Sequence, residues 1–401
     1  MVQTAGMSPP GRQFEQTLES FLEDLRSSGR HRRLRVFATA GNGRVAAGGR
    51  QLLNFSSNDY LGLARHPALI ERARRWAEAW GTGATASRLV CGTLELHQAV
   101  EEKLAKGKGA PAALIFNSGF QANSAVLAAL FDKNFLGGAP LVFSDRLNHA
   151  SIHHGCKAAG ARQIRYRHND MDHLQELLQT NAGKPGVRFI VTETVFSMDG
   201  DRVDVDVLSG LAKRYGAFLY LDEAHATGVF GRNGFGLAAG HSVDLVMGTF
   251  SKGLGGFGAY VACSGKLREY LINRCSGFIY STALPPAVLG AIDAALDLLP
   301  SLEAERQRLL AMAEKVRHAF RGAGIDVGTS STQIIPAIVG SDERALSMAG
   351  ELETKGILGV AVRPPSVPQG ASRIRFALSA AHSDRDIERL IRTVGALSEG
   401  A

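Results

Sequence analysis

The chain has 401 residues, of which 45% are hydrophobic, and it carries a formal net charge of +7 at pH 7. This length and composition allow a substantial buried core and favour two or more domains, and no apolar run reaches the roughly 18 residues that would span a bilayer. The basic clusters are short and separated by mixed sequence, so the charge modestly favours anionic small molecules, and a nucleic-acid partner stays open on charge alone.

The predicted elements fall into three segments. Residues 1–50 form an N-terminal arm, in which the amphipathic stretch 14–29 predicts a helix ended by glycine. Residues 51–285 form a large domain of short apolar runs that alternate with helical patterns, which indicates a mostly parallel sheet covered on both faces. Residues 286–401 start as a long helical region broken at Pro300 and then mix strands with helices. We therefore expect an α/β fold with a smaller α+β C-terminal domain.

The cysteines Cys91, Cys156, Cys263 and Cys275 form no CxxC pair and lack metal-ligand spacing with histidine. Disulfides and a metal site are therefore not expected, and reduced thiols are the simplest interpretation. The first residues lack the apolar core of a signal peptide. We expect a cytoplasmic protein without membrane association.

Polar residues follow five apolar runs of the large domain. In open α/β sheets, ligands bind beyond the carboxyl ends of the strands, so these positions are where chemistry is expected. The polar strings are NSGF after AALIF, SDRLNH after LVF, ETVFSMDGD after FIVT, DEAH after FLYL, and TFSKG after DLVMG. Five polar strand ends could converge on one crevice.

Two familiar nucleotide-binding motifs match the chain but lack the sequence context that their function requires. The string GLGGFG at 253–258 fits a dinucleotide fingerprint, but an apolar strand follows it where a helix is required. The string DEAH at 222–225 spells a helicase box, yet no Gly-Lys pair of the chain is followed by Ser or Thr as a phosphate-binding P-loop requires. Both nucleotide interpretations are set aside, and with them a nucleic-acid partner.

Asp222, His225 and Lys252 remain, and each has an ordinary structural explanation. Asp222 could cap a turn, His225 could be a core histidine, and Lys252 could be a solvated loop lysine. Together they match what pyridoxal 5'-phosphate (PLP) requires, a lysine for the Schiff base and a carboxylate for the pyridine nitrogen. The small residues around Lys252 would leave room for the bound group.

The same cofactor needs a phosphate cradle and a group over its ring. Gly119 and Phe120 lie in a strand-to-helix turn whose backbone N–H groups could hold a phosphate, although a simple turn glycine is the alternative. His149, at another strand end, could lie flat over the ring, or could be a helix N-terminal residue without a ligand. These residues complete a candidate PLP site.

Nine strings that occur in order between about residues 30 and 390 resemble the α-oxoamine synthases, a branch of the fold-type I PLP-dependent transferases. The resemblance implies a homodimer with shared active sites that joins an amino acid to an acyl-CoA or acyl carrier thioester with loss of carbon dioxide. The strings are NFSSNDYLGL, SRLVCGTLELHQAVEEKLA, NSGFQAN, DRLNHASI, TETVFSMDGD, LDEAHATGVFG, TFSKGLGG, IYSTALPP and RPPSVP.

Carried over residue by residue, the resemblance assigns roles within that site. Lys252 would bind the cofactor covalently, Asp222 would pair with its ring nitrogen and His149 would stack on the ring. The remaining assignments are His225 and Ser197 at the ring hydroxyl, Thr249 with the Gly119 and Phe120 backbone at the phosphate, Ser281 and Thr282 at the partner subunit's cofactor, and Asn58 and Arg363 at the amino-acid carboxylate.

Two positions depart from the family pattern. Ser366 stands where threonine is common in RPPTVP, and the N-terminal substrate arginine could be Arg32 or Arg33 because RHRRLR aligns ambiguously. Lys252 and Asp222 would serve equally in a fold-type I aminotransferase, which returns the amino group to the cofactor. That alternative stays open on these two residues.

Overall fold

Strands and helices alternate along most of the chain, as the apolar runs predict. The computed structural model describes residues 9–399, so residues 1–8 of the expected arm and 400–401 of the expected C-terminal domain lie outside the described residues. The first elements are α1 (Pro9–Ser27), β1 (Ala38–Gly41), β2 (Arg44–Ala47), β3 (Arg50–Asn54), α2 (Pro67–Trp80) and α3 (Glu95–Lys108). The central elements are β4 (Ala112–Phe116), α4 (Gly119–Leu130), α5 (Lys133–Leu136), β5 (Leu141–Asp145), α6 (Ala150–Ala158), β6 (Gln163–Tyr166), α7 (Met171–Thr180), β7 (Arg188–Glu193), α8 (Val205–Tyr215), β8 (Ala217–Asp222), β9 (Leu245–Thr249), β10 (Ala259–Cys263), α9 (Gly265–Arg274), α10 (Ser276–Ile279) and α11 (Pro286–Leu298). The last are α12 (Glu303–Gly322), β11 (Ile334–Gly340), α13 (Asp342–Thr354), β12 (Ile357–Leu358), β13 (Val360–Val362), β14 (Ser372–Ala377) and α14 (Asp384–Glu399).

The central sheet has the strand order β4-β10-β9-β8-β7-β5-β6. β10 is antiparallel to both of its neighbours, and the pairs from β9 to β6 are parallel. All five apolar runs form strands of this sheet, and the run after GLGGFG is the strand β10, as the rejection of a dinucleotide fingerprint requires. The carboxyl ends of β4, β5, β7, β8 and β9 therefore lie at the same edge.

Both faces of the central sheet are buried, which explains why its strands are apolar at consecutive positions. Along β7 and β8, Phe189, Val191 and Tyr220 join one buried cluster with residues of α4. Ile190 and Leu219 point to the opposite face and pack with α7 and α8. Because successive side chains alternate between the faces, one strand contributes to two cores.

A smaller lobe contains the sheet β11-β14-β13 with α12, α13 and α14 packed around one apolar core. The segment near the N-terminus belongs to this lobe, because β3 pairs in parallel with β12 and buries Leu53, Phe55 and Tyr60 in the same core. In contrast, α11 packs on α2 and α3 in the core of the large domain. α11 therefore packs in the core of the large domain although it follows the predicted boundary at 286, and residues 53–60 pack in the small lobe although they follow the predicted boundary at 51.

One buried charged cluster ties together two turns at the carboxyl edge of the sheet. His168 Nδ1 lies 3.0 Å from Asp145 Oδ1, and His168 Nε2 lies 3.1 Å from Asp201 Oδ2. Burial by itself lowers the pKa of His168, but the hydrogen bonds and charges of the two carboxylates outweigh it and raise the pKa to about 10. His168 is therefore an imidazolium at neutral pH and joins the turn after β5 to the turn after β7.

Replacing His168 tests this cluster. Because the folded-state pKa lies above the ordinary value of 6.5, the stabilisation is complete below pH 6.5 and is lost as the pH rises toward 10. We expect His168→Gln to lower the free energy of unfolding by about 3 kcal/mol at pH 6.5, and the difference from the native chain to shrink at pH 9.5 in urea denaturation. His318→Gln on the exposed face of α12 is the matched control. A difference that does not change with pH would contradict this assignment.

Candidate functional site

A cavity of about 180 Å³ lies at the carboxyl edge of the central sheet. It collects residues from the ends of three strands, β7, β8 and β9, from the turns after β8 and β9, and from two helix N-termini. Seven residues singled out in the sequence line it together: Gly119, Phe120, His149, Asp222, His225, Thr249 and Lys252. The lining also includes Asn123, Ser151, Glu193, Ala224, Met247 and Ser251, which the sequence analysis did not single out.

Lys252 follows β9 by three residues and directs its amine into the cavity. Its Nζ lies 2.9 Å from His225 Nε2. Burial lowers the pKa of the Lys252 amine to about 8, although the carboxylates of Asp222 and Glu193 act in the opposite direction. A considerable fraction of the amine is therefore neutral near physiological pH and able to act as a nucleophile or base.

Glycines bring the turn that carries Lys252 against the turn that carries His225. A Cβ on Gly253 would lie 2.6 Å from the Thr227 carbonyl oxygen, and Gly228, with φ of +97°, would place its own Cβ 3.0 Å from Gly253 backbone atoms. Both positions require glycine because the two backbones touch. The room at Gly253 is therefore taken by a neighbouring turn, whereas the sequence analysis assigned such room to a bound group.

Asp222 ends β8 with its carboxylate held on both oxygens. Oδ1 accepts the Ala224 N–H at 2.8 Å, and Oδ2 accepts the Asn123 amide at 2.8 Å. The Tyr220 hydroxyl donates in turn to Asn123 Oδ1 at 2.7 Å. The carboxylate direction is thus fixed by hydrogen bonds from α4 and from its own turn, and it faces the cavity.

The second acid of DEAH points away from the cavity. Glu223 Oε2 accepts from Lys108 Nζ at 2.6 Å, and Glu223 Oε1 accepts the Ala238 N–H at 2.8 Å. The ion pair is almost fully buried. Only the first acid of the motif therefore belongs to the site, because neighbouring side chains of an extended segment point in opposite directions.

One end of the cavity offers donors for an anion. Gly119 and Phe120 are the first two residues of α4, where backbone N–H groups have no acceptor within the helix. Thr249 and Ser251 line the same cavity with their hydroxyls 2.7 Å apart. Because the Thr249 hydroxyl donates to the Gly258 carbonyl oxygen at 2.8 Å, the Ser251 hydroxyl is the one that can donate to an anion. A Cβ on Gly119 would meet no protein atom within 4 Å, so open space lies against this backbone. The donors and the open space fit the phosphate of PLP.

His149 caps α6 beside a second buried acid. Glu193 accepts the His149 backbone N–H at 2.6 Å, and His149 Nδ1 lies 2.7 Å from the Ser151 hydroxyl. Burial is the largest effect on both groups: it lowers the pKa of His149 and raises the pKa of Glu193 well above its ordinary value. The His149 ring is thus held neutral at the wall of the cavity.

The small lobe contributes an arginine that the sequence analysis missed. Arg375 in β14 donates to Asn58 Oδ1 at 3.1 Å and also to the Ser197 carbonyl oxygen. Tyr60 lies beside it and contacts His225 Nδ1 at 2.6 Å. A buried arginine within the apolar string SRIRFALSA departs from the strand pattern, and that departure is the signal that could have identified it.

The other expected residues lie outside the cavity lining among the described residues. Arg363 donates to the Gly29 carbonyl oxygen at 2.6 Å, and Ser366 lies exposed in the same turn. Arg32 and Arg33 are exposed in the irregular segment after Gly29. Ser281 accepts from Gln121 on the outer side of α4, and the Thr282 carbonyl accepts from Asn117. Ser197 enters the network of the site through its backbone only.

Comparisons with known proteins identify the family. The model of the aminotransferase class I and II family matches residues 50–394. The 8-amino-7-oxononanoate synthase of Gluconacetobacter diazotrophicus is 56% identical over 381 residues, which cover 94% of this chain and 96% of the relative. The synthase of the same name from Geobacter sulfurreducens is 48% identical over 384 residues, covering 94% and 97%. The chain belongs to the α-oxoamine synthase branch of the aminotransferase class I and II family.

Solved structures of this branch share the fold. The serine palmitoyltransferase of Sphingomonas wittichii superposes with a TM-score of 0.87 at 27% identity, covering 96% of this chain and 97% of the other. The 8-amino-7-oxononanoate synthase of Francisella tularensis gives a TM-score of 0.74 at 27% identity, covering 87% and 97%. The expected fold-type I PLP-transferase architecture is confirmed, and so is PLP as the cofactor of this α-oxoamine synthase.

Two observations concern the remaining sequence expectations. No helix within residues 9–399 is both long and apolar enough to cross a membrane. Over the same residues, no three His, Cys, Asp or Glu side chains gather where they could hold a metal ion.

Proposed function

We propose that this chain catalyses the decarboxylating condensation of L-alanine with pimeloyl-CoA, or with a pimeloyl carrier thioester, to form 8-amino-7-oxononanoate. The strings DEAHATGVFG and SRLVCGTLELH most resemble 8-amino-7-oxononanoate synthases within the branch, and relatives of that name match almost the whole chain. The observation that carries the proposal is the Lys252 amine, which faces Asp222 and His149 in a cavity at the strand ends. The alternatives are branch members that use glycine or serine and other acyl groups, followed by an aminotransferase.

The donor set assigns a task to each part of the cavity. Lys252 would hold the cofactor, Asp222 would place its charge at the ring nitrogen, and the α4 N-terminus with Ser251, positioned by Thr249, would bind the phosphate. Bound PLP would supply the electron sink that stabilises negative charge at the α-carbon of the amino acid. His149 would orient the ring from the wall of the cavity. The chemistry therefore depends on groups that three strand ends and two helix N-termini bring together.

Lys252 is also the proton carrier of this scheme. A general base works best when its pKa lies near the working pH, and the pKa of about 8 at Lys252 meets this condition. The neutral Lys252 amine would take the α-proton of alanine and later return a proton to the product. The Asp222 carboxylate favours the positive charge that Lys252 gains.

The condensation would form a C–C bond between the α-carbon of alanine and the thioester carbonyl carbon, release the thiol, and lose the alanine carboxylate as carbon dioxide. The products are 8-amino-7-oxononanoate, one free thiol and one carbon dioxide. His225 and Met247 are buried at the inner side of the lining, whereas Phe120, His149 and Ser251 are exposed. The exposed side would admit the substrates.

We further assign the substrate carboxylate to Arg375 and Asn58. Arg375 is 8% exposed and shares a network with Tyr60 and His225, whereas Arg363 is directed to the Gly29 carbonyl. A guanidinium binds a carboxylate in a fork that an ammonium cannot reproduce. Arg363, Arg32, Arg33 and Ser366 would then serve the acyl thioester, near the exposed basic segment.

Homodimer formation remains part of the proposal. Tyr280 is 85% exposed and directly precedes Ser281 and Thr282. Leu89 and Val90 are also exposed, in the segment after Ser87, which pairs with Thr282. Burial of such apolar side chains favours association. A mass of about twice 42.7 kDa in sedimentation equilibrium would support a dimer, and a monomer at micromolar concentration would contradict it.

A thiol-release assay tests the reaction itself. We expect alanine with pimeloyl thioester to exceed combinations of alanine, glycine or serine with acetyl, succinyl or palmitoyl thioesters by about tenfold or more in kcat/KM. Lys252→Ala should remove both the activity and the borohydride-reducible attachment of PLP. Preference for glycine with acetyl or succinyl thioester would reassign the chain within its branch. A stable pyridoxamine spectrum with amino acid alone would favour an aminotransferase.

A pair of arginine variants tests the carboxylate assignment. We expect Arg375→Lys to raise the KM for alanine about tenfold or more, because one forked contact is lost. Arg363→Lys should act mainly on the KM for the thioester. Steady-state kinetics with each substrate varied in turn separates the two effects, and the reverse pattern would return the carboxylate to Arg363.

A further inference from the structure

A buried hydrogen-bonded chain connects the small lobe with the amine of Lys252. It starts at Arg375 in β14, passes through the Tyr60 hydroxyl and reaches Nδ1 of His225 at 2.6 Å. The other ring nitrogen, Nε2, lies 2.9 Å from Lys252 Nζ. Tyr60 is fully buried and His225 is almost so. Tyr60 does not line the cavity, so any influence it has on the chemistry passes through His225.

His225 is neutral, and its two nitrogens therefore have different roles. Burial lowers the pKa of His225 well below its ordinary value, and the positive charges of Lys252, Arg375 and any charged form of His149 act in the same direction. A neutral imidazole carries its proton on one nitrogen and accepts at the other. The partner of Nδ1 thus decides whether Nε2 donates or accepts at the cavity.

The geometry favours Tyr60 as the donor to Nδ1. Asn58 Oδ1 is the other acceptor within reach, but it lies farther away at 3.1 Å and already accepts from Arg375. Arg375 carries donors only, and its approach to Tyr60 Oη at 3.5 Å makes the phenol a better donor. An imidazole nitrogen is a stronger base than a phenol oxygen, so a contact of 2.6 Å fits O–H···N.

We propose that Tyr60 is a positioning residue that holds the His225 proton on Nε2, so that His225 presents an N–H donor to the neutral Lys252 amine and to the ring of bound PLP. The backbone of His225 is fixed independently, because Gln333 donates to its carbonyl oxygen at 3.0 Å. Tyr60 therefore sets the tautomer and the ring rotation rather than the path of the chain. This proposal rests on the PLP site of the proposed function.

The test uses the holoenzyme and measures the pKa at which the visible absorption band of the bound cofactor changes with pH. An N–H donor that faces the ring withdraws electron density and keeps that pKa low, so Tyr60→Phe should raise it by about one unit, a tenfold change in the ionisation constant. Tyr166→Phe, at a buried tyrosine of β6 outside the cavity lining, is the matched control and should leave the band unchanged. An unshifted band in Tyr60→Phe, or equal shifts in both variants, would overturn the proposal.

A second measurement requires no substitution of Tyr60. ¹⁵N-histidine NMR of the native protein, with the His225 signals assigned by their loss in His225→Gln, reports the tautomer directly. We expect protonated Nε2 with an unprotonated Nδ1, and the opposite tautomer would overturn the proposal. If the protein shows no visible band, the proposed function fails, while the NMR result still decides the role of Tyr60.

Discussion

The structure depends on placing the amine of a half-buried lysine against the buried side chains of Asp222 and His225. Burial works against a charged lysine, and it lowers the pKa of Lys252 to about 8 even though two acids lie nearby. The surrounding groups are arranged so that the amine has a partner in either charge state. The Asp222 carboxylate balances the ammonium form, and the His225 ring contacts the neutral form.

Two close backbone approaches make this placement possible. The turns after β8 and β9 touch at Gly228 and Gly253, where any side chain would meet backbone atoms. His225 and Lys252 lie on these two turns and are therefore held within hydrogen-bonding distance. Rigid strands fix where the turns begin, and the glycines fix how near the turns come. A functional contact between side chains thus follows from a contact between backbones.

Polar networks from outside the cavity fix the remaining groups. Asn123 and Tyr220 set the direction of the Asp222 carboxylate, and His168 joins the turns after β5 and β7. The small lobe reaches the site through Arg375, Asn58 and Tyr60. Each network connects segments that are distant in sequence. Movement of the small lobe against the central sheet would therefore change the hydrogen bond between Tyr60 and His225.

The sequence by itself determined the elements and the chemistry of their ends. Apolar runs predicted strands β4, β5, β7, β8 and β9 because burial on both faces of a parallel sheet favours apolar residues at consecutive positions. Asp222, His225, Lys252, His149 and the start of α4 could be singled out because they follow those strands directly. Local sequence also showed that GLGGFG leads into a strand and that Pro300 interrupts a helical region.

Only the tertiary structure decided which distant residues join them. Arg375, Tyr60, Asn123 and Glu193 reach the site through strand pairing and lobe packing, and nothing in their local sequence encodes these contacts. The same holds for α11, whose apolar face fits either domain and packs on α2 and α3. Local patterns determine whether a segment is buried, because periodicity reflects burial. They do not determine what a segment is buried against, since that depends on the shape of surfaces formed by other parts of the chain.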